Sequence, residues 1–451
     1  MGIFSTSYNI SSAIVGNLAE SFRIASTKKQ IKKLVQQVDD ANYQARSVYL
    51  IPEITPSSLL LTTGSDIDVY RYNSNSKSPG LDCIWGDSDD PECMIVSGGS
   101  NSARVRALMP FVRKAQIRNI PVIVLHCGNR ELEQLVSSSE NSRGTETVGK
   151  GRKYYDMFRG LPVDDIARIL YETMPDNTSP DAEAYLRATI NFILKRDGTV
   201  NLKLLSTLLS GNQIRNFSNA LYAMETSGII TADERADIEA DYLSATTQQN
   251  TVRSFISKLN QQIENVFGPY SANCCKMKYY INQKGVIAFD LGASTNELAA
   301  NLVLNHLMYF QESGKEFAVL VDELPFSKYS RLTDLIRGRL YAVSASDCIA
   351  RLSGNNDSLF NEIMSSVACA VIFSHHAGSS SAKWSEQLGT YHKLKIKTNY
   401  SQTASYLQNS NTEGIQIEEA DEPRVSANTI SMLPEGLACI HRQDGTLIAP
   451  V

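Results

Sequence analysis

The run Phe317-Ala318-Val319-Leu320-Val321, followed directly by Asp322 and Glu323, decides the fold. Five consecutive apolar residues are typical of a strand that is buried on both faces of a parallel sheet. Such sheets hold their ligands at the carboxyl ends of the strands, so we expect Asp322 and Glu323 to line a site. An apolar strand closed by two carboxylates is the pattern of a Walker B motif, in which Asp322 would hold magnesium and Glu323 would orient an attacking water.

Strands and helices alternate on the amino-terminal side of this motif. Met94-Ile95-Val96 is predicted as a strand, residues 104–118 as a helix and residues 121–125 as the next strand. Two short strands joined by one helix form a βαβ unit with parallel strands. The alternation stops at about residue 160 and returns with a strand at residues 285–290.

The intervening residues 161–268 are predicted to be helical throughout. Thr231 and Glu234 have the spacing of a capping box, in which each side chain bonds the other residue's backbone amide. The segment is long enough to have a core of its own. We therefore predict an α/β fold of the RecA-like P-loop type, with a parallel central sheet and an inserted all-α domain. The predicted segments are an amphipathic helical N-terminal arm at 1–45, the first part of the α/β domain at 46–160, the all-α domain at 161–268 and the second part of the α/β domain at 269–451.

The turn after the strand Met94-Ile95-Val96 stands where a phosphate-binding loop is expected. Its residues are Ser97, Gly98, Gly99, Ser100, Asn101, Ser102, Ala103 and Arg104. Aligned with G-x-x-x-x-G-K-[ST], the loop has serine at both diagnostic glycines. Ala103 takes the place of the lysine, and Arg104 takes the place of the hydroxyl residue that binds magnesium.

Three interpretations of this loop stay open. It has lost phosphate binding; it holds an anion or a nucleotide without efficient hydrolysis, through backbone amides and the dipole of the following helix; or it serves an active ATPase in which Arg104 or Arg106 supplies the charge. In each case we expect the strands at 94–96 and 317–321 to be neighbours. We also expect the loop and Asp322 to meet at one edge of the sheet.

Three arginines follow the Walker B residues: Arg331, Arg337 and Arg339. In ring ATPases such arginines reach into the site of a neighbouring subunit as fingers. The alternative is a set of surface or interface salt bridges.

Composition and charge exclude some classes of protein. The 451 residues are 42% apolar and 20% charged with a net charge of −5, which is typical of a soluble globular protein without an overall basic excess. No run approaches 18 apolar residues, so no membrane span is predicted. We predict no metal site from the cysteines and histidines, because neither Cys274-Cys275 nor His375-His376 has the spacing of metal ligands. Eight scattered cysteines favour a reducing cytoplasm.

The arm at residues 1–45 combines apolar stripes with a basic face formed by Lys28, Lys29, Lys32 and Lys33. We expect it to dock on a partner subunit or on an anionic membrane surface rather than to pack into the α/β core. The alternative is an ordinary helix that closes the core. The predicted location is cytoplasmic, with peripheral contact to the inner face of the membrane.

The order of these parts resembles the cytoplasmic ATPase of type IV secretion coupling proteins, the conjugative DNA-transfer branch of the FtsK–HerA superfamily. The matching positions in chain order are 80–86, 97–104, 122–125, 161–268, 286–289, Asp322-Glu323-Leu324-Pro325, Arg337-Gly338-Arg339, 366–373, 385–389 and 430–440. The resemblance covers residues 80–451 and rests on order and spacing rather than on any single motif.

The resemblance implies a subunit of a type IV secretion or conjugation machine. It implies ATP and magnesium as cofactors, other machine subunits as partners, a hexameric ring, and DNA or a DNA-bound protein as cargo of the all-α domain. It also implies a nucleotide-binding loop at Gly98, Gly99, Ser100, Asn101, Ser102, Ala103 and Arg104, and catalytic roles for Asp322, Glu323, Arg337 and Arg339.

This chain departs from the family along the catalytic path. The loop lacks its lysine and hydroxyl, and Ser344 or Ser346 replaces the family's glutamine. The family's N-terminal membrane helices have no counterpart in the sequence. These departures count against ATP and magnesium and favour a structural or cargo-recruiting subunit with impaired hydrolysis. An active ring-forming DNA translocase with an unorthodox phosphate loop is the alternative, and a nucleotide- or nucleic-acid-sensing module outside secretion is a third.

Overall fold

The structure is a computed structural model that describes residues 28–50, 91–138, 144–210, 216–292, 296–323, 334–337, 339–353, 357–405, 408–442 and 445–451. The matching positions 80–86, Arg331 and the first 27 residues of the arm lie outside the described residues. The chain divides into two compact units, Asp87–Ala368 and Met1–Gly86 with Cys369–Val451.

Strands and helices alternate on either side of a helical segment. The strands are β1 (Val48–Leu50), β2 (Met94–Ser97), β3 (Val122–His126), β4 (Thr145–Val148), β5 (Tyr154–Tyr155), β6 (Cys274–Cys275), β7 (Val286–Asp290), β8 (Ala318–Asp322), β9 (Tyr341–Ala345), β10 (Cys369–Ile372), β11 (Thr390–Ser405), β12 (Gln408–Pro423), β13 (Leu437–Arg442) and β14 (Gly445–Pro450). The helices are α1 (Lys28–Arg46), α2 (Asn101–Ile117), α3 (Arg130–Ser138), α4 (Val163–Thr173), α5 (Asp181–Asp197), α6 (Leu202–Ser210), α7 (Phe217–Thr226), α8 (Ala232–Ser244), α9 (Gln249–Phe267), α10 (Met277–Gln283), α11 (Glu297–Glu312), α12 (Cys348–Ser353), α13 (Asp357–Met364), α14 (Gly378–Gln387) and α15 (Ala427–Ser431).

The unit Asp87–Ala368 is built on a parallel sheet in the order β2-β9-β8-β3-β7-β4. Every residue of β2, β3, β8 and β9 is buried, as expected for strands covered on both faces. The predicted parallel sheet is therefore confirmed. The prediction that the strands at 94–96 and 317–321 are neighbours is wrong, because β9 lies between β2 and β8 and pairs in parallel with both.

Helices α4 to α9 confirm the helical prediction, since no strand falls in the described part of residues 161–268. The capping box at the start of α8 forms both bonds, with the Glu234 amide donating to Thr231 Oγ1 at 3.2 Å and the Thr231 amide donating to Glu234 Oε2 at 2.9 Å. The rings of Phe217 and Tyr242 stack at 4.0 Å, and Phe192 packs on Phe217 at 4.8 Å. The segment thus has an aromatic core, and its status as a separate domain stays a prediction.

The unit Met1–Gly86 with Cys369–Val451 has strands in the order β1-β14-β13-β10. Strand β1 is parallel to β14, whereas β13 is antiparallel to both β14 and β10. A long hairpin also belongs to this unit, with β11 and β12 paired antiparallel from Thr390 opposite Pro423 to Ser405 opposite Gln408. The sequence analysis did not predict this hairpin.

Helix α1 packs on that hairpin. Leu34 and Val38 form a buried cluster with Leu394, and the Asn42 side chain both donates to the Leu394 carbonyl, at 2.9 Å, and accepts from its amide, at 2.7 Å. The prediction that the arm docks on a partner or a membrane is therefore wrong for the Leu34–Val38 stripe, because its own chain covers that stripe. Lys32 and Lys33 remain exposed. Within the described residues, no helix is both long enough and apolar enough to cross a membrane.

We predict that Leu34→Ala lowers the free energy of unfolding by about 2 kcal/mol, the lower end of the range for a buried leucine, because the cluster is small. Urea denaturation measures the loss. Val35→Ala is the matched control, since Val35 is 39% exposed and its truncation should stay within about 0.5 kcal/mol. Equal effects of the two substitutions would contradict the packing of α1 on the hairpin.

Candidate functional site

The loop after β2 makes a tight turn into α2. Gly98 and Gly99 both have positive φ, at 84° and 67°, a region that glycine enters without steric cost. The Gly98 amide donates to the Ala345 carbonyl at 3.0 Å, which ties the loop to β9. Ser100 caps α2 by accepting from the Ala103 amide, so the helix begins at Asn101, three residues earlier than predicted.

Arg104 turns back from α2 into this loop. Its Nη1 donates to the Gly99 carbonyl at 3.1 Å, its Nε lies 3.9 Å from Asp322 Oδ1, and its Nη2 lies 3.5 Å from Glu323 Oε1. The residue is only 5% exposed. One guanidinium thus connects the loop after β2 with the carboxylates of Asp322 and Glu323, and the predicted meeting of loop and Asp322 at one edge is confirmed.

Asp322 and Glu323 differ in their surroundings. Asp322 is the last residue of β8 and is 1% exposed, whereas the Glu323 side chain is 18% exposed. Glu323 has φ of 52°, a strained conformation for a residue other than glycine. Its amide donates to the Ser344 carbonyl, and its carboxylate accepts from the Ser346 amide and lies 3.5 Å from the Arg351 Nε. These contacts hold the strained turn.

Asn129 is a site residue that the sequence analysis missed. Its side-chain nitrogen donates to Asp322 Oδ2 at 2.7 Å and to Asn101 Oδ1 at 2.8 Å, while the Asn101 nitrogen donates back to Asn129 Oδ1 at 3.0 Å. His126 positions the turn by accepting the Asn129 amide on Nδ1. The available signal was the Cys127-Gly128-Asn129 turn at the carboxyl end of a predicted strand.

Burial dominates the ionisation of Asp322. Desolvation raises the pKa of this carboxyl above its ordinary value, while the hydrogen bond from Asn129 and the charge of Arg104 oppose the shift. Burial similarly lowers the pKa of His126 to about 4, so this imidazole is neutral at physiological pH. Ionising Asp322 at this edge is therefore unfavourable because of burial, and Asn129 and Arg104 reduce that cost.

No protein-family profile matches the chain, and no curated protein resembles it in sequence. Solved structures do match. The bacterial conjugative coupling protein TrwBdeltaN70, in its trigonal form in complex with sulphate, has a TM-score of 0.54 at 14% identity over 84% of this chain and 90% of that chain. Its unbound monoclinic form scores 0.53 at 14% identity over 80% and 85%, and TrwB in complex with ADP and Mg²⁺ scores 0.51 at 14% identity over 84% and 90%.

This chain has the fold of a conjugative coupling protein. The predicted resemblance and the RecA-like α/β fold with an inserted helical domain are thereby confirmed at the level of fold. At 14% identity the likeness carries no residue roles, so the roles of the loop and of the two carboxylates stay predictions.

The contacts observed for Arg337 and Arg339 are with residues other than the loop and the two carboxylates. Arg337 is exposed and pairs with Glu362. The Arg339 guanidinium lies 4.3 Å from the ring centroid of Phe317 and donates to the Lys315 carbonyl at 3.1 Å. Lys315 and Phe317 precede β8, so Arg339 lies at the amino edge of the sheet, whereas Asp322 lies at the carboxyl edge. A role as fingers toward another copy stays a prediction.

Among the residues that the structure describes, no group of three or more histidine, cysteine, aspartate or glutamate side chains could hold a metal ion. His375 is buried and His376 is exposed, both in the unit that contains β10.

We predict that Arg104 and Asp322 are energetically coupled. Arg104→Met should cost about 3–5 kcal/mol of unfolding free energy, because it leaves a buried carboxylate without its cation. In the double variant with Asp322→Asn, the cost should fall below the sum of the two single costs by at least about 1 kcal/mol. Urea denaturation of the four proteins measures this, with the exposed neighbour Arg106→Met as control. Additive costs would show that the two side chains do not interact.

The raised pKa of Asp322 also predicts a pH dependence. The folded state takes up the Asp322 proton at a higher pH than the unfolded state, whose carboxyl has a pKa of about 3.9. Linkage then requires that the stability of the unsubstituted protein, relative to Asp322→Asn, rises as pH falls through the window between these two values. Urea denaturation of both proteins at several pH values from neutral downward tests this. If the relative stability instead decreases as the pH is lowered, the charge of Arg104 has a larger effect on the pKa of Asp322 than its burial has.

Proposed function

We propose that this chain is a coupling-protein-like subunit of a type IV secretion or conjugative DNA-transfer machine, with impaired ATP hydrolysis and a structural or cargo-recruiting role. The coupling-protein fold supports the kind of machine. The position of Arg104 supports the loss of hydrolysis and is the observation that carries this proposal. TrwB has been seen with ADP and Mg²⁺, so the fold can hold both.

The residues at the carboxyl edge do not fit a magnesium-bound nucleotide. Magnesium prefers oxygen ligands, and a working phosphate loop supplies a hydroxyl beside the Walker B carboxylate. Here that position carries the guanidinium of Arg104, which has five donors and no acceptor and cannot ligate a cation. Its contact with Asp322 Oδ1 places a fixed positive charge beside the expected magnesium ligand.

The phosphate-binding side of the loop is also incomplete. Ala103 provides no cation where a phosphate loop has its lysine, and Arg104 donates to the Gly99 carbonyl inside the loop. Ser97, at the first glycine position, uses its hydroxyl to accept the Cys348 amide at 3.1 Å. Hydrogen bonds within the chain thus occupy several polar groups at this edge, and Arg104 Nε and Asp322 Oδ1 interact as an ion pair at 3.9 Å, which supports a structural role.

We further propose that the helical segment α4 to α9 binds cargo, either DNA or a DNA-bound protein, and that the chain works with other machine subunits or further copies of itself, including a hexamer. Large apolar side chains stand exposed on this segment: Tyr222, Ile229 and Leu243 are 64%, 50% and 57% exposed. We also propose a cytoplasmic location, with a peripheral membrane contact through the arm. This contact would involve residues before Lys28 and the exposed side chains of Lys32 and Lys33.

The purified protein should show little or no magnesium-dependent ATP hydrolysis, with or without DNA. Each missing electrostatic group removes roughly 3–4 kcal/mol of transition-state stabilisation, and the loop lacks two such groups. Phosphate release measures the rate. Glu323→Gln should change nothing, because there is no turnover for this carboxylate to support.

The double substitution Ala103→Lys with Arg104→Thr is the positive control for nucleotide binding in this test. It restores the lysine and the hydroxyl but removes the cation beside Asp322, so this variant should be less stable than the unsubstituted protein without ligand. ATP with magnesium should raise the stability of the variant against heat and leave that of the unsubstituted protein unchanged. A turnover near one per second in the unsubstituted protein that collapses in Glu323→Gln would overturn the proposal and establish an active translocase (order of magnitude from typical ATPase rates).

A further inference from the structure

A cavity lies in the unit Asp87–Ala368, away from the loop and the two carboxylates. Its volume is about 400 Å³, within the range of small-ligand sites. Its walls come from the turn after β5, from helix α10 with Lys276 before it, and from helix α11. None of its lining residues belongs to the phosphate-loop position or to the Walker B pair.

The cavity has a buried floor and a cationic rim. Asp156, Met277, His306 and Phe310 form the floor and are 7%, 2%, 4% and 3% exposed. The rim is formed by exposed residues that include Arg159, Lys276 and Lys278. An apolar floor with a few polar groups and charges at the mouth is the usual build of a ligand site.

His306 leaves one polar atom of this floor without a partner. Its Nδ1 is hydrogen-bonded to the hydroxyl of Tyr155, and its Nε2 is buried with no hydrogen-bond partner among the described residues. Burial lowers the pKa of His306 to about 3, so the ring is neutral and carries one proton. Several buried polar atoms of the described residues have no hydrogen-bond partner, but His306 is one of the residues that line an open cavity, which points to a group that the cavity receives.

Whether Nδ1 or Nε2 of His306 carries the proton follows from the number of polar groups that each choice leaves without a hydrogen bond. If Nδ1 carried it, the buried Tyr155 hydroxyl would lack an acceptor and Nε2 would lack a donor. If the Tyr155 hydroxyl donates to Nδ1, only Nε2–H is unmet. The second arrangement leaves one unmet group instead of two, so the floor offers an N–H donor.

The remaining groups specify what would accept that donor. Asp156 is an acceptor on the same floor, with one oxygen already bonded to the Phe158 amide at 3.0 Å. Burial raises the pKa of Asp156 to about 6, so the carboxylate is mostly ionised at neutral pH. With the three rim cations the cavity carries a net charge of about +2, which matches a phosphate monoester at neutral pH. The rings of His306 and Phe310 lie 4.7 Å apart and provide an aromatic surface.

We propose that this cavity binds a nucleoside monophosphate whose base carries an exocyclic amine. The base lies against Phe310, accepts from His306 Nε2–H on a ring nitrogen, and donates its amine to Asp156. The phosphate reaches Arg159, Lys276 and Lys278 at the rim. This site is independent of the role proposed for the loop.

Isothermal titration of the full chain with AMP in the presence of EDTA tests this, because chelation removes metal-dependent binding elsewhere. AMP should bind at one site, and adenosine and inorganic phosphate should each bind at least about tenfold more weakly, the loss expected for one charge-assisted hydrogen bond. The absence of AMP binding at millimolar concentration would overturn the proposal.

Two variants locate the site, each with a matched control. His306→Phe removes the donor, and Lys276→Ala with Lys278→Ala removes rim charge without touching the buried floor; each should weaken AMP binding by about tenfold or more. His376→Phe and Lys258→Ala alter exposed residues outside the cavity and should bind AMP normally. If His306→Phe fails to fold, the rim variant decides. AMP binding that survives the rim substitutions would place the nucleotide elsewhere and overturn the assignment.

Discussion

The burial of Asp322 is the constraint on which the carboxyl edge of the sheet depends. A carboxylate that is 1% exposed loses the solvation of water and must find compensation within the protein. Arg104 provides it from the start of helix α2, and Asn129 provides it from the turn after β3. The Asn129 side chain also exchanges two hydrogen bonds with that of Asn101, so the residue that stabilises the carboxylate also contacts the first residue of helix α2. The loop after β2, the Asn129 turn and strand β8 are therefore joined through one acidic group.

Arginine at position 104 determines what this edge can do. A magnesium ion is exchangeable and arrives with its nucleotide, whereas a guanidinium is permanently charged and covalently attached. The charge that a coupling-protein fold would receive from a ligand is thus supplied here by the chain. The proposed loss of hydrolysis would thus come with a structural gain, since the cation expected to block magnesium also stabilises the buried carboxylate.

Each of the two candidate sites in the unit Asp87–Ala368 has buried polar atoms without a hydrogen-bond partner in the described part of the chain, which are Arg104 Nε and Asp322 Oδ1 at the loop and His306 Nε2 at the cavity. At the loop, Asn101, Asn129, Arg104 and Glu323 bond one another or nearby backbone. At the cavity beside α11, a buried imidazole nitrogen has no partner among the described residues, and cations stand at the mouth. At the loop, the unpartnered atoms of Arg104 and Asp322 carry opposite charges and lie 3.9 Å apart, which suits a structural role. At the cavity, the unmet donor belongs to a residue that lines open volume, which suits a ligand.

The sequence by itself determined the buried parallel strands, the helical insertion and the acidic end of β8, because these features depend on local periodicity and on the residue types within a few positions. It also showed that Arg104 stands where a hydroxyl is expected. Only the tertiary structure decided that β9 separates β2 from β8, that Asn129 bonds Asp322, that helix α1 packs on the hairpin of β11 and β12, and that His306 faces a cavity. Strand order and these contacts join residues far apart in the chain, as Arg104 and Asp322 are. They are set by which faces must be buried together and by which polar groups must find partners, and no local pattern records either requirement.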